Sequence, residues 1–128
     1  MQPEDVPRAF SQAFAVQSGA GIAVLLAEDG LGLTLSGQWV EGRVEAEVAW
    51  AAEFAGLLAK ARLVTGKTSV KMLGPGAAVV SQRYVVSGAL EAEGVELPRF
   101  AAVLSATIIA RPDGWTAVAL SFTAISDP

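Results

Sequence analysis

Apolar and polar positions change their spacing along the chain, and the change divides it in two. Up to about residue 59 the apolar residues recur at helical intervals. Beyond it they gather into strand-length runs bounded by turn residues.

In the first part, Val6, Ala9, Phe10, Ala13 and Phe14 fall at 3-1-3-1 intervals, which puts them on one face of a helix. Asp5 is placed as its N-cap, and Pro7 sits in the first turn, where a missing N–H does no harm. Ser18 is placed to cap a second, shorter helix that faces Ile22, Leu25 and Leu26 to the core and stops at Gly30. Residues 31–35 and 38–41 predict a short hairpin around Ser36 and Gly37. From Gly42 and Arg43 a third helix is predicted to about Ala59. Its apolar stripe is Val44, Val48, Ala51, Ala55 and Leu58, with Trp50, Phe54 and Leu57 on the flank.

The second part predicts long antiparallel strands at residues 69–73, 78–87, 100–111 and 115–125, rich in Val, Ile, Leu and Ala. Gly74, Pro75 and Gly76 separate the first two, and Pro112, Asp113 and Gly114 the last two. Both are turn sequences that a central strand does not tolerate. Residues 91–96 are a polar surface loop. Helices followed by strands predict an α+β fold with the helices on one face of the sheet. The alternation within the strands carries a second message. Residues 78–86 are apolar on both parities, with Ala78, Val80, Gln82, Tyr84 and Val86 on one and Val79, Ser81, Arg83 and Val85 on the other. In the last strand Trp115, Ala117, Ala119, Ser121 and Thr123 share one parity and Thr116, Val118, Leu120 and Phe122 the other. Three helices cover one face, so the second face is expected to meet another copy in a twofold homodimer.

Composition narrows the chemistry. The chain has 128 residues, with neither cysteine nor histidine. It is expected to form a single domain over residues 1–128, without disulfides, thiolate chemistry or the usual zinc ligands; no metal and no cofactor is expected. The net charge of −4 argues against nucleic acid, and Lys60, Arg62, Lys67 and Lys71 read as a solvated strand face. Residues 9–27 carry no charge, but Gln12, Gln17, Ser18 and glycines interrupt them, and Glu4 and Asp5 precede Arg8. Neither a membrane helix nor a signal peptide is indicated, and a cytoplasmic location is expected.

Two glycine motifs lack the context that phosphate binding requires. Ala61 to Thr68 reads A-x-x-x-x-G-K-T inside strand-like sequence, and Gly19 and Gly21 follow a helix instead of a strand. Glu28 and Asp29 form an adjacent carboxylate pair, expected at the exposed end of the second helix. Polar Gln82, Tyr84 and Ser121 lie on otherwise apolar strands, so they either pair internally or meet a ligand. Trp39, Trp50, Phe54 and Tyr84 are candidates for the wall of an apolar cavity or for plain core.

Several segments together carry a resemblance: Ala13 and Phe14 through Ser18, then Ala23 to Asp29, Gly37 to Gly42 and Arg43, Val70 to Leu73, Gly76 to Val80, and Asp113 through Thr123. Their order and spacing resemble the SnoaL-like branch of the nuclear transport factor 2-like superfamily, closest to the SgcJ/EcaC-type uncharacterised proteins. The resemblance implies a cystatin-like cone: three N-terminal helices packed on a strongly curved antiparallel sheet, a cavity between them, and commonly a homodimer through the sheet. On the pattern of the ketosteroid isomerase branch, the catalytic tyrosine's place falls on Phe10. The general-base aspartate's place falls on Thr34, and the second acid's near Ala106 or Thr107, so that mechanism's functional groups are missing. The polyketide cyclase branch relies on histidine and aspartate, and this chain has no histidine. Many relatives place histidine or glutamine where Ser121 stands.

Three readings follow. The first is a homodimeric protein whose mostly apolar pocket binds a small hydrophobic molecule, with Trp39, Trp50, Phe54, Gln82, Tyr84 and Ser121 as wall residues. The second is a small enzyme of the isomerase, cyclase or dehydratase type that uses Tyr84 with Glu53 or Asp29 for acid–base chemistry. The third is a non-catalytic dimerisation module.

Overall fold

The computed structural model of the protein describes residues 2–126. After a single 3-10 turn, α1 (Val6–Ala15) and α2 (Gly19–Ala23) lead into β1 (Leu26–Leu33), β2 (Trp39–Glu41) and α3 (Arg43–Ala55). Four long strands complete the chain: β3 (Arg62–Gly74), β4 (Ala77–Ser87), β5 (Phe100–Arg111) and β6 (Gly114–Ile125). They form one six-stranded sheet in the order β2-β1-β6-β5-β4-β3. The consecutive long strands pair antiparallel, β3 with β4 and β5 with β6 through tight turns and β4 with β5 through the loop of residues 88–99, whereas β1 runs parallel to β6. The architecture is α+β, with three helices against a curved sheet. Among the described residues no helix is long and apolar enough to cross a membrane.

The first helix has the face its spacing predicts, with Val6, Phe10, Ala13 and Phe14 buried. Asp5 does not cap it. Its carboxylate instead accepts from the Gln2 N–H at 2.8 Å, closing the preceding turn, and pairs with Arg8 at 3.1 Å. Ser18 does cap α2, its Oγ accepting from the Gly21 N–H at 2.9 Å. Gly19 lets α2 lie directly on α3: a Cβ there would stand 2.8 Å from the Glu47 carbonyl oxygen and 2.9 Å from the Ala51 nitrogen.

Three local expectations are corrected. The second helix ends at Ala23, and Glu28 and Asp29 lie exposed within β1, because Leu26 already pairs with Ala117 and draws the chain into the sheet. The third helix ends at Ala55, before Gly56, and turns carry the chain on to Lys60. Its inward stripe is also different: Ala46, Ala49, Trp50, Glu53 and Phe54 are buried, while Val44 and Val48 are 81 % and 68 % exposed. Two large aromatic rings outweigh two valines in apolar area, and they set which way the helix faces.

On β4 the parity of Ala78, Val80, Gln82, Tyr84 and Val86 is buried under the helices. Its partners on β5, Ile108, Ala106, Leu104 and Ala102, share that face. On β6 the two parities exchange midway. Thr107 pairs with Ala119 and Ile108 with Ala117, leaving Val118 as the extra residue of a β-bulge. Ala117 is therefore buried together with Leu120 and Phe122, and Ser121 points to the other side. A strict alternation through residues 115–123 cannot show this, because one inserted residue flips every side chain beyond it.

Candidate functional site

The residues singled out from the sequence lie in two separate groups. Trp50 and Phe54 on α3, and Gln82 and Tyr84 on β4, are buried on the helix side of the sheet. Trp39 and Ser121 are on the opposite, outer side, where Leu33 of β1 lies between them in register.

The helix-side group meets Phe10 and Phe14 from α1 and Phe122 from β6. Ring centroids in this cluster lie between 5.2 Å, for Phe10 and Phe122, and 6.2 Å, for Trp50 and Phe122. The arrangement is mostly tilted or edge-on, as in Phe10 against Trp50 at 78° and Phe14 against Phe54 at 82°. Such pairs each add about 0.5–1.5 kcal/mol beyond the area they bury. The centre of the cone, where the resemblance places a cavity, is thus packed with protein side chains. Phe10 and Ala106 take part in this apolar core, and buried Thr34 accepts from the Gln38 N–H through Oγ1 at 3.1 Å.

The buried polar groups are all satisfied; among the described residues no buried side-chain nitrogen or oxygen lacks a partner. Tyr84 shares a hydrogen bond with Ser11 Oγ at 2.8 Å, and its hydroxyl also donates to the Pro7 carbonyl at 3.1 Å. Burial raises the Tyr84 hydroxyl above its usual pKa of 10.0, and the Ser11 contact pulls it part of the way back. Gln82 donates through Nε2 to the carbonyls of Gly66 at 2.9 Å and Lys67 at 3.3 Å, and its Oε1 accepts from the Thr68 hydroxyl. These are the residues at which the β3–β4 register slips, between Thr65 and Thr68. Gln82 therefore serves as the internal partner of a β-bulge, and the Gly66-Lys67-Thr68 sequence that imitates a phosphate loop is that bulge. Glu53 is buried as well, with both carboxylate oxygens held by Ser36 at 2.7 Å. Sequence reasoning missed this pair, and it missed Ser11, whose partner lies 73 residues away.

Open space is found at the surface. A cleft of about 750 Å³ lies between the C-terminal half of α1, the chain leaving α3 and the start of β3, lined by Phe14, Ala15, Lys60, Arg62 and Leu63 among others. A separate, smaller one of about 270 Å³ lies on the other side of Ser11, lined by Glu4, Arg8, Thr65, Gln82 and Tyr84 among others. Near the β5–β6 turn a cleft of about 730 Å³ mixes Glu28, Asp29 and Asp113 with Arg43, Arg111 and Trp115. Arg43 there is tied down, its Nε donating to the Leu26 carbonyl at 2.9 Å. On the outer side Trp39 and Ser121 border a shallow groove of about 220 Å³ with Leu31, Ser105, Thr107 and Ala119. Among the described residues no cluster of acidic side chains is arranged to hold a metal ion.

The register also assembles an outer face of unusual composition. Ser69, Ser81, Ser105 and Ser121 stand opposite one another across β3, β4, β5 and β6, and Leu33 and Trp39 extend the row across β1 and β2. The adjoining row reads Lys71, Val79, Thr107, Ala119, Leu31 and Glu41. Trp39 is 58 % exposed and Val64, at the other end of the face, 61 % exposed.

Comparison with known proteins bears on the fold. No family model matches the sequence, and no curated protein matches it. Solved structures do. An uncharacterised protein with a cystatin-like fold from Caulobacter vibrioides superposes with a TM-score of 0.85 at 16% identity, over 96% of this chain and 87% of that one. A nuclear transport factor 2-like protein with a cystatin-like fold from Novosphingobium aromaticivorans gives 0.75 at 16% identity, over 97% and 80%. A provisionally assigned calcium/calmodulin dependent protein kinase II association domain from Xanthomonas campestris gives 0.76 at 19% identity, over 98% and 86%. The chain has the cystatin-like fold of the Caulobacter and Novosphingobium structures.

Proposed function

We propose that the protein acts as an association module, two copies meeting through the outer faces of their sheets in a homodimer. The observation that carries this reading is the row of small residues Ser69, Ser81, Ser105 and Ser121, ringed by exposed Leu31, Trp39, Val64 and Val85. Small side chains at the centre let two sheets approach to the spacing of about 10 Å found between packed sheets. The larger apolar groups around them gain by leaving water. Charge favours a second copy as the occupant. Glu41 lies at the β2 edge of this face, and Lys71 and Arg83 lie toward the β3 edge. A twofold axis along the strands sets each acidic edge over a basic one. The fold likeness to an association domain supports the same reading.

Native mass spectrometry and sedimentation at low micromolar concentration test it. The expected result is a dimer that Ser105→Arg converts to a folded monomer, because a charge at the centre of the row faces its own copy. A wild-type monomer at every concentration overturns the proposal.

A second reading, binding of a small molecule, is favoured by the cleft between α1 and β3. Its volume lies in the ordinary range of ligand sites, and its apolar wall includes Phe14 at the edge of the aromatic core. Incubating the protein with decanol or decanoate and following ligand-observed NMR signals tests it, with no binding of either as the result against it.

A further inference from the structure

The cleft between α1 and β3 has a polarity that points to one ligand class. Its apolar wall comes from Phe14, Ala15 and Leu63, and its rim carries Lys60 and Arg62. No carboxylate lines it, although acidic residues outnumber basic ones thirteen to nine in the chain. Among the described residues, neither Lys60 nor Arg62 makes an ion pair. Both cations are exposed, so they are available to a ligand without the cost of breaking an existing pair.

The cleft is also held in shape. Gln17, the one non-glycine residue with a positive φ among those described, at 56°, donates through Nε2 to the Ala59 carbonyl at 2.5 Å. This bond fastens the chain leaving α3 to the end of α1, so the two walls keep a fixed separation. On the inner side Ser11 is anchored to the Pro7 carbonyl at 2.9 Å and to Tyr84, which closes that end with a hydroxyl network.

We infer that this cleft binds a small amphipathic monocarboxylate, with its carboxylate at Lys60 and Arg62 and its apolar body along Phe14, Ala15 and Leu63. The inference rests on the small-molecule reading of the cleft. Leu63 pairs with inward-facing Val86 and so lines the cleft from the helix side, whereas Arg62 pairs with Ser87 on the outward parity and borders the cleft from the edge strand. Arginine supplies a planar pair of donors that matches a carboxylate, and lysine adds a second positive charge.

The test compares decanoate, decanol and decylamine as probes of the full chain, by ligand-observed NMR and calorimetry. Decanoate is expected to bind more tightly than decanol, and decylamine not to bind. The double variant Lys60→Gln with Arg62→Gln is expected to weaken decanoate about tenfold, the combined worth of two partly exposed charge pairs, and to leave decanol unchanged. Ala15→Trp, at an exposed position of the apolar wall, is expected to abolish binding of both while circular dichroism and thermal unfolding confirm the fold. Decanol binding as tightly as decanoate overturns the carboxylate inference and leaves the cleft as an apolar site. Absence of binding by either probe overturns both. Decanoate binding that survives both sets of substitutions places the ligand elsewhere and overturns the inference too.

Discussion

Ser36 holds Glu53 by both carboxylate oxygens, its backbone N–H donating to Oε1 and its hydroxyl to Oε2, each at 2.7 Å. The pair fastens the turn between β1 and β2 onto the buried face of α3. Hydrogen bonds to a charged acceptor contribute about 1.5–3 kcal/mol each when shielded from water. Glu53→Gln keeps the shape but replaces one acceptor oxygen with a donor that faces another donor. We expect it to lower unfolding stability by about 2 kcal/mol. Urea unfolding checks this: the midpoint should fall at constant slope, and an unchanged midpoint would contradict the role assigned to the pair.

Gln82 gives a second test, because its amide is the internal partner of the β3 bulge. Gln82→Leu leaves the Gly66 carbonyl and the Thr68 hydroxyl without their buried partner, and the expected loss is about 1–3 kcal/mol. The effect should be local as well as global, with amide exchange accelerated at residues 65–68 before the rest of the sheet. If Gln82 instead waited for a ligand, the leucine variant would be as stable as the wild type.

What the sequence made legible follows from the range of the interactions involved. The face of α1, the Ser18 cap and the two turns at Gly74–Gly76 and Pro112–Gly114 are encoded by residues a few positions apart. The inward face of α3 was misread because two stripes of similar width compete on it, and only the partners of Trp50 and Phe54 across the core decide between them. The parity of β6 was misread because the bulge at Val118 is set by its neighbours and has no glycine to mark it. The candidate wall residues were chosen for their chemistry, without a face assigned to them. The bulge puts Ser121 on the outer side, where Trp39 also lies, and Gln82 finds its partners within the sheet. The cleft at Lys60 and Arg62 joins α1 to a strand some fifty residues later, a distance over which spacing carries no signal.

The packed centre of the cone predicts a contrast between the wild type and a cavity variant. Phe122 touches Phe10, Phe14, Trp50 and Tyr84. Phe122→Ala is expected to cost about 3–5 kcal/mol and to leave a dry apolar void. Benzene or xenon should then bind the variant and raise its melting temperature, while the wild type shows no such shift. Equal uptake by the wild type would mean that the interior already holds usable space.

Tyr84 is the one tyrosine in the chain, so its phenolate absorbance can be followed without interference from another. Burial raises its pKa above 10.0, and its bond to Ser11 opposes that rise. The folded state therefore holds the phenolic proton more tightly than the unfolded chain. The resulting contribution to stability is complete below pH 10.0 and is lost as the pH climbs through the elevated folded value, because the unfolded chain releases its proton first. The folded protein should titrate at higher pH than the urea-denatured protein, with tryptophan fluorescence reporting whether the fold persists. Ser11→Ala removes the contact that favours the phenolate, so it should move the folded titration further upward. A downward movement would show that Ser11 acts on Tyr84 through burial, by keeping water from the hydroxyl, and that the hydrogen bond is the lesser of its two effects.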